Sequence, residues 1–306
     1  MHYKTSKFQY YLRSLGNIAR WKLFPIQIEK ELAQLSPQQQ QLLKQRRDYY
    51  IKLDAIEGAQ LTTTVSSFKR DGGIFYYLDL KQYLANFPGA SKFNYCFGDI
   101  TYVPQTPSFL KSRPIGDDNH NSVLLPLDSI RHFHFVDDRL GFLDKKDLVV
   151  WRGAARQEHR RRFLIDYVDH PLCNIGSVKG FDDQRYYKAY MTVAQQLEYK
   201  FILSIEGFDV ATNLKWIMSS NSIAVMPELK YETWFMEGKL IPDVHYIRIK
   251  DDYSDLEERI NFYLGHPDKC AQIIRNANEY VAGFKNLASE RLLTMMVIDK
   301  YFSLVR

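Results

Sequence analysis

The sequence has few of the residues that mark several common protein classes. Three cysteines (Cys96, Cys173 and Cys270) occur in 306 residues, widely spaced and odd in number. They fit buried thiols in a reducing compartment better than a disulfide framework or a zinc site. No apolar run approaches the ~18 residues of a membrane-spanning helix, and the N-terminal region has no apolar signal-peptide core. We therefore expect a cytoplasmic protein.

Several nucleotide-binding and catalytic motifs are also absent. The sequence contains no G-x-G-x-x-G and no G-x-x-x-x-G-K-[ST] loop, which bind dinucleotides and phosphates in many folds. It contains no G-x-S-x-G and no H-E-x-x-H, and no two aspartates stand two residues apart. These absences argue against the common hydrolase, kinase and metalloprotease classes.

The composition is that of a folded, mildly basic chain. Hydrophobic residues make up 45%, including 19 Phe and 21 Tyr, and 41 Lys and Arg against 36 Asp and Glu give a net charge of +5. This balance favours an anionic partner, either a phosphate ligand or an acidic membrane surface. At ~150 residues per domain, the length indicates about two domains.

The first half of the chain mixes helix and strand signals. Residues 1–25, with Lys4 among their cations, predict an amphipathic helix interrupted at Gly16, which packs on the body of the protein or lies on a membrane surface. Ser36 before Pro37 predicts a capped helix start. Apolar runs at 62–68 and 74–80 predict two strands of a hairpin that turns at 69–73.

After residue 150 the pattern alternates between strands and helices, which predicts a parallel sheet with crossover connections. This change of pattern places the boundary between two domains, 1–150 and 151–306. The predicted strands are 201–206, 222–226 and 245–249. The predicted helices are about 157–168, 184–197, 210–219, 254–264 and 267–284, with a last helix near the C-terminus.

A first polar cluster follows the strand-like residues 148–150. In open α/β sheets, ligands bind beyond the carboxyl ends of the strands. Arg152 and Arg156 beside Gly153 suit a diphosphate, because guanidinium groups bind phosphate in bidentate fashion. A surface arginine pair is the alternative. The basic run 159–162 adds positive charge, and most of it is predicted to be a solvated helix face.

A second cluster, residues 204–216, predicts a strand, a glycine turn and a helix that begins near Asp209. Free backbone N–H groups at a helix N-terminus attract phosphate. The alternative is an ordinary strand–turn–helix unit. The candidate phosphate-binding residues here are Gly207, Asp209, Ala211, Thr212, Asn213 and Lys215.

A third cluster, residues 231–238, offers aromatic surface and carboxylates to a nucleoside or a sugar. Glu237 is a candidate for binding the donor and Trp234 a candidate for the acceptor or the cleft, and ordinary packing is the alternative. His132 and His134 would share a strand face, but no third ligand is obvious, so we predict a structural role for both.

A fourth cluster lies in the first half of the chain. Asp99 follows Gly98, and a carboxylate placed there can remove a proton from a hydroxyl group. A capping or turn role is the alternative. Lys111, Ser112 and Arg113 come shortly after and are candidates for the same cleft.

Together these clusters resemble glycosyltransferase family 90, and most closely its bacterial lipopolysaccharide core branch, which is related to the protein O-glucosyltransferases. The matching segments appear in consistent order over residues 95–250. They are FGDITYVPQTPSFLKSRPI (97–115), NHNSVLLPLDSIRHFHFVDD (119–138), LVVWRGAARQEHRRRFL (148–164), SIEGFDVATNLKWIMSSNS (204–222) and YETWFMEGKLIPDVHYIRI (231–249).

The resemblance implies an α/β fold of GT-B type, with two Rossmann-like lobes, a cleft between them and a C-terminal helix. Residues 1–150 would be the acceptor-side lobe and 151–306 the lobe that binds the nucleotide sugar. It also implies a UDP-sugar donor and inverting transfer without a metal ion, with which the missing D-x-D agrees. No cofactor is implied, because the UDP-sugar is a substrate.

The resemblance also assigns roles to individual residues. Asp99 looks like the counterpart of the family's catalytic aspartate. Arg152, Gly153 and Arg156 match its Arg-Gly-x-Arg stretch with one extra residue, and 207–215 loosely resembles its Gly-x-x-Ala-Ser-x-Arg-x-Lys stretch. Asn213 stands where the protein O-glucosyltransferases have arginine, so the phosphate contacts differ there.

We therefore expect an enzyme that transfers glucose or galactose from a UDP-sugar to a hydroxyl of the lipopolysaccharide or lipooligosaccharide core. Its partners would be the UDP-hexose, the core acceptor and, through the basic N-terminal segment, the cytoplasmic face of the inner membrane. A protein O-glycosyltransferase and a non-catalytic basic protein that binds sugar or an anionic ligand are the alternatives. No RNA-binding signature is present, so nucleic acid is not expected.

Overall fold

The computed structural model describes residues 7–179, 181 and 183–306. Lys4, part of the predicted N-terminal helix, lies outside these residues. The chain divides into two compact units. The sheet unit comprises Phe133–Leu229 and Gly238–Gly283, and the helix-rich unit comprises 7–132, Lys230–Glu237 and Phe284–Arg306.

The elements of the described residues are as follows. The helices are α1 (Lys7–Leu23), α2 (Ile28–Ala33), α3 (Pro37–Tyr50), α4 (Ile74–Leu84), α5 (Ser129–His132), α6 (Glu158–Tyr167), α7 (Val193–Gln196), α8 (Leu214–Met218), α9 (Leu256–Leu264), α10 (Pro267–Ala282) and α11 (Leu287–Ser303). The strands are β1 (Thr63–Thr64), β2 (Lys92–Phe93), β3 (Tyr95–Cys96), β4 (Ser108–Leu110), β5 (Ser112–Pro114), β6 (Ser122–Leu124), β7 (Lys146–Ala154), β8 (Cys173–Lys179), β9 (Tyr199–Leu203), β10 (Ile223–Met226), β11 (Tyr231–Thr233) and β12 (Ile247–Arg248).

The sheet unit is built on a five-stranded parallel sheet in the order β12-β10-β9-β7-β8. Alternate residues such as Val149 and Phe201 face a core shared with α6, α9 and α10. Their neighbours Val150 and Ile202 are fully buried as well. The strands are therefore apolar on both faces, which is typical of parallel sheets.

The helix-rich unit packs α1 to α5 and α11 with small sheets. Strands β3, β4 and β6 form a parallel sheet, while β5 and β11 pair antiparallel. The predicted start of α3 is confirmed, since Ser36 forms a capping box with Gln39 ahead of Pro37.

The predicted hairpin around 69–73 is wrong. Residues 74–80, predicted as its second strand, lie in helix α4. This helix packs on α1, and Tyr10 Oη of α1 donates to Asp79 of α4 at 2.7 Å. The aromatic and apolar residues at 74–80 favour a strand locally, but tertiary packing overrides that preference. Helix α1 in turn runs through Gly16 without the predicted interruption.

Three further local predictions need correction. The predicted helix 210–219 shrinks to the five residues of α8, and 184–197 contains only the 3₁₀ turn Gln184–Tyr186 and the short α7. His132 ends helix α5 instead of lying on a strand with His134. Helices α6, α9, α10 and α11 and strands β9, β10 and β12 confirm the other predictions to within a few residues.

The α/β fold class with a parallel sheet is confirmed. The predicted boundary at residue 150 falls inside β7, whose nine residues form one continuous strand of the sheet unit. The sheet unit instead begins at Phe133, and the terminal helix α11 belongs to the helix-rich unit. The roles predicted for the two lobes stay predictions.

Candidate active site

The Arg152 guanidinium donates several hydrogen bonds within the sheet unit. Its Nη1 donates to the carbonyl oxygens of Trp151 (2.9 Å) and Asn174 (2.8 Å), and its Nη2 donates to Asn174 Oδ1 at 2.8 Å. Its Nε donates to the Ala189 carbonyl at 3.1 Å, so four of the five N–H donors of a guanidinium are engaged. Burial lowers the pKa of Arg152. Arg152 therefore joins β7 to β8 and has little capacity left for a phosphate.

Gly153 lets the buried Trp151 ring fold back over the end of β7. A Cβ at position 153 would lie 2.4 Å from Trp151 Cζ2, closer than carbon atoms approach. The register of β7 against β8 also shifts between Gly153 and Ala154. The glycine is thus required by packing at this strand end.

Arg156, two residues beyond β7, is exposed. Within the described part of the chain it makes no hydrogen bond, ion pair or ring contact. A cation at the carboxyl end of a parallel strand, with all its donors available, is well suited to bind an anion. Of the two predicted arginines, Arg156 is the one whose donors are not engaged among the described residues.

Arg160 forms hydrogen bonds with both predicted clusters of the sheet unit, the one after residue 150 and the one at 204–216. It donates to the carbonyl oxygens of Ala154 (3.1 Å), Ile205 (2.7 Å) and Glu206 (2.9 Å). Burial lowers the pKa of Arg160 to about 10, so its charge persists at neutral pH. The solvated face predicted for most of the run 159–162 is confirmed at the exposed residues 159, 161 and 162, and Arg160 is the partly buried exception. Its position in the first turn of a helix that follows a strand was the signal for a different role.

The segment from Gly207 to Lys215 differs from its prediction. Helix α8 begins at Leu214, because Asn213 Nδ2 donates back to the Leu203 carbonyl at 2.9 Å and Asn213 Oδ1 accepts from Ser204 at 3.1 Å. A helix start at Asp209 that offers free N–H groups to phosphate is therefore ruled out. Asp209, Ala211 and Lys215 are buried in the sheet unit, while Gly207, Thr212 and Asn213 are partly exposed.

Asp99 lies in the helix-rich unit, after β3 and a turn at Gly98. The φ of +116° at Gly98 lies in a region that favours glycine. Lys111 Nζ lies 2.5 Å from Asp99 Oδ1, with the lysine almost fully buried and the Asp99 side chain 30% exposed. Asp99 makes no other hydrogen bond or ion pair among the described residues, so Oδ2 is available to a hydroxyl group.

Ser112 and Arg113 are fully buried, which corrects their predicted contact with an acceptor. Arg113 donates to Glu232 Oε1 (2.7 Å) and to the carbonyl oxygens of Ser122 and Tyr49. Such a buried ion pair with its donors satisfied orders the interior of the helix-rich unit. Of the three predicted neighbours, only Lys111 contacts Asp99.

Trp234 and Glu237 are also interior residues of the helix-rich unit. The Trp234 ring stacks on Tyr50 with centroids 3.9 Å apart, and its Nε1 donates to Glu290 at 2.6 Å. The Glu237 carboxylate accepts from the backbone N–H of Thr233 (2.6 Å) and from its hydroxyl. These contacts correct the predicted ligand roles, because neither side chain is accessible.

The described residues contain no group of three or more His, Cys, Asp and Glu side chains placed to hold a metal ion. Cys96, Cys173 and Cys270 are all free thiols. Within 7–179, 181 and 183–306, no helix combines the length and hydropathy needed to cross a bilayer.

Known proteins of similar sequence show the class to which this chain belongs. A profile of "Glycosyl transferase family 90" matches residues 129–306, more than half of the chain. The "O-glucosyltransferase LpsA" of Dichelobacter nodosus is 48% identical over 242 residues, which cover 79% of this chain and 76% of that protein. The protein is a glycosyltransferase. It belongs to glycosyl transferase family 90.

Two more distant matches cover smaller fractions of this chain. "Uncharacterized protein 179R" of Invertebrate iridescent virus 6 is 29% identical over 113 residues, 35% of this chain and 9% of that protein. The C-terminal domain of a glycosyl transferase group 1 family protein (LpcC) from Francisella tularensis covers 46% of this chain and 86% of that domain, with 9% identity and a TM-score of 0.31. A TM-score this low carries no inference.

Proposed function

We propose that the protein transfers a hexose, glucose or galactose, from a UDP-sugar to a hydroxyl of the lipopolysaccharide or lipooligosaccharide core, with inversion and without a metal ion. Membership of family 90 carries the proposal, since it makes the chain a glycosyltransferase. The relative from Dichelobacter nodosus is named an O-glucosyltransferase, which favours glucose as the donated sugar and oxygen as the acceptor atom.

The proposed reaction is a single displacement with Asp99 as the base. Lys111 holds Oδ1, so Oδ2 takes the proton of the acceptor hydroxyl. The acceptor oxygen then bonds to the anomeric carbon of the donor. The bond from that carbon to the phosphate oxygen breaks, and UDP departs with the electron pair. Attack opposite the leaving group inverts the anomeric configuration.

On the donor side, the developing negative charge of UDP requires fixed positive charge, and such preorganised electrostatics is usually the largest catalytic term. Arg156 is the proposed direct phosphate ligand, because its donors are not engaged within the described chain. Arg160 supplies a second charge beside Gly207, where a Cβ would lie 3.4 Å from Arg160 Nη2. The sheet edge that carries Arg156 is supported from the interior of the sheet unit by Arg152, Gly153 and Lys215.

Helix α1 supports a location at the cytoplasmic face of the inner membrane. One side of the helix is buried and carries Tyr10 and Trp21. The opposite side exposes a stripe of apolar residues at helical spacing. The stripe consists of Phe8, Leu12, Leu15 and Leu23. Four cations and no acidic residue occur in the helix (Lys7, Arg13, Arg20 and Lys22). An apolar stripe flanked by cations matches a surface of anionic lipid.

The test is to incubate the purified chain with UDP-glucose or UDP-galactose and truncated lipopolysaccharide in the presence of EDTA. We expect UDP release that depends on the acceptor, and a product whose new anomeric carbon has the configuration opposite to that of the donor. A product with retained configuration, activity only after metal is added, or release from neither UDP-sugar would contradict the proposal.

A further inference from the structure

A cavity of about 320 Å³ lies in the helix-rich unit, beside the turn that carries Asp99. None of its lining residues is among those assigned above to the donor. Its wall comes from the start of α4 and from the residues around β3. The lining residues are Asp71, Gly72, Gly73, Tyr76, Tyr95, Phe97 and Gly98.

Three aromatic rings form the apolar part of this wall. The Phe97 ring packs against Tyr95, with centroids 4.6 Å apart, and against Tyr76 at 5.4 Å. Phe68 supports both Phe97 and Tyr95 from the interior. Rings held by several neighbours present a fixed surface, and their negative faces attract the slightly positive C–H groups of a ligand.

The polar part of the wall is acidic. Tyr95 Oη donates to Asp71 Oδ2, so a carboxylate and a phenol lie side by side at the ring surface. Burial, and then this hydrogen bond, raise the pKa of Tyr95, so that it remains a neutral donor. Asp71 is the one residue with a full charge among the described residues that line the cavity. A phosphate or a nucleoside diphosphate would therefore be repelled.

Three glycines contribute backbone to the cavity wall. A Cβ at Gly72 or Gly98 would meet no atom within 4 Å, so a ligand has room to approach the backbone there. A volume of about 320 Å³ lies at the small end of the roughly 300–1,000 Å³ range for small-molecule pockets. A neutral ligand with an apolar face and a rim of hydroxyl groups fits this combination, and a sugar ring has both features.

The proposed base directly follows a residue of the cavity wall in the sequence. Gly98 lines the cavity and Asp99 is the next residue, while Lys111, which holds Asp99 Oδ1, lies 5.9 Å from the centre of the Tyr76 ring. We propose that this cavity binds the sugar ring of the acceptor, stacked on Phe97 and Tyr95 and hydrogen-bonded to Asp71, so that one hydroxyl reaches Asp99. This assignment rests on the proposed function, and it gives the acceptor a binding site distinct from that of the donor.

Steady-state kinetics of Phe97→Leu and Asp71→Ala test the assignment. Losing one aromatic contact or the carboxylate should raise the KM for the acceptor roughly 5–10-fold and leave the KM for the UDP-sugar unchanged. Phe262→Leu, at a partly exposed ring of α9 in the sheet unit, is the matched control and should alter neither constant. An unchanged acceptor KM in both cavity variants would overturn the assignment. Asp71 is exposed, so its variant keeps the test informative if Phe97→Leu fails to fold.

A binding experiment separates failure of this assignment from failure of the proposed function. Saturation-transfer NMR with methyl glucoside and methyl galactoside requires no turnover. We expect transfer to at least one glycoside with the wild type and its loss with Asp71→Ala, even if no UDP-sugar is used by the enzyme. Wild-type protein that binds neither glycoside, or Asp71→Ala protein that binds as the wild type does, would contradict a sugar site in this cavity.

Discussion

Replacing Arg152 and Arg156 separately by glutamine should produce two opposite phenotypes. Arg152 donates four hydrogen bonds within the sheet unit, whereas Arg156 is exposed and donates none within the described residues. Loss of the Arg152 bonds leaves half-buried carbonyl oxygens such as that of Asn174 unsatisfied, which should cost about 2–3 kcal/mol of unfolding free energy. An exposed substitution such as Arg156→Gln should change stability by less than about 0.5 kcal/mol.

Binding of UDP should show the reverse order. A charge-assisted hydrogen bond is worth about 1.5–3 kcal/mol, so Arg156→Gln should weaken UDP binding roughly 10–100-fold. Arg152→Gln should bind UDP more tightly than Arg156→Gln does. Urea unfolding and calorimetric titration with UDP measure the two quantities, and each variant serves as the control for the other. Wild-type stability of Arg152→Gln, or full UDP affinity of Arg156→Gln, would contradict the roles assigned to these two arginines.

Two further predictions concern helix α1 and its contact with α4. The double variant Phe8→Ser, Leu12→Ser should bind phosphatidylglycerol vesicles at least roughly tenfold more weakly in flotation assays. The control Leu143→Ser, at a similarly exposed leucine outside α1, should bind as the wild type does. Equal binding by both variants would exclude α1 as the membrane contact. Burial raises the pKa of Asp79 to about 7, above its unfolded value of ~3.9, so stability should fall by up to roughly 4 kcal/mol as the pH rises from about 4 to 7. Urea unfolding across that range should show a flatter profile for Asp79→Asn, and identical profiles would refute the assignment.

The sheet unit could be predicted largely from the sequence, because its signals are local and consistent. Strands β9 and β10 are short apolar runs, and α9 and α10 follow them with clear amphipathic spacing. Where local and tertiary preferences disagree, as in α4, the prediction failed. Residues 74–80 are rich in aromatic and apolar side chains that suit a strand, but in the fold they form a helix that packs on α1 and α5.

The candidate site could be predicted only at the level of segments. The sequence pointed equally to Arg152, which lies within β7, and to Arg156 beyond it, since a one-dimensional pattern does not reveal which guanidinium bonds to nearby backbone. Charge made Arg113 and aromatic surface made Trp234 look like ligand contacts, although both satisfy their donors inside the helix-rich unit. The aromatic cavity combines residues 71–76 with 95–98, and no spacing rule joins those two segments.

The proposed mechanism depends on Asp99 as the base, and the turnover of Asp99→Asn shows whether Asp99 has this role. Asparagine keeps the shape of the side chain but cannot accept the proton, so acceptor-dependent UDP release should fall at least ~10²-fold while the affinity for UDP stays close to that of the wild type. Asp118→Asn, at a carboxylate that is 96% exposed, is the control and should keep full turnover. Near-normal turnover by Asp99→Asn would contradict the account.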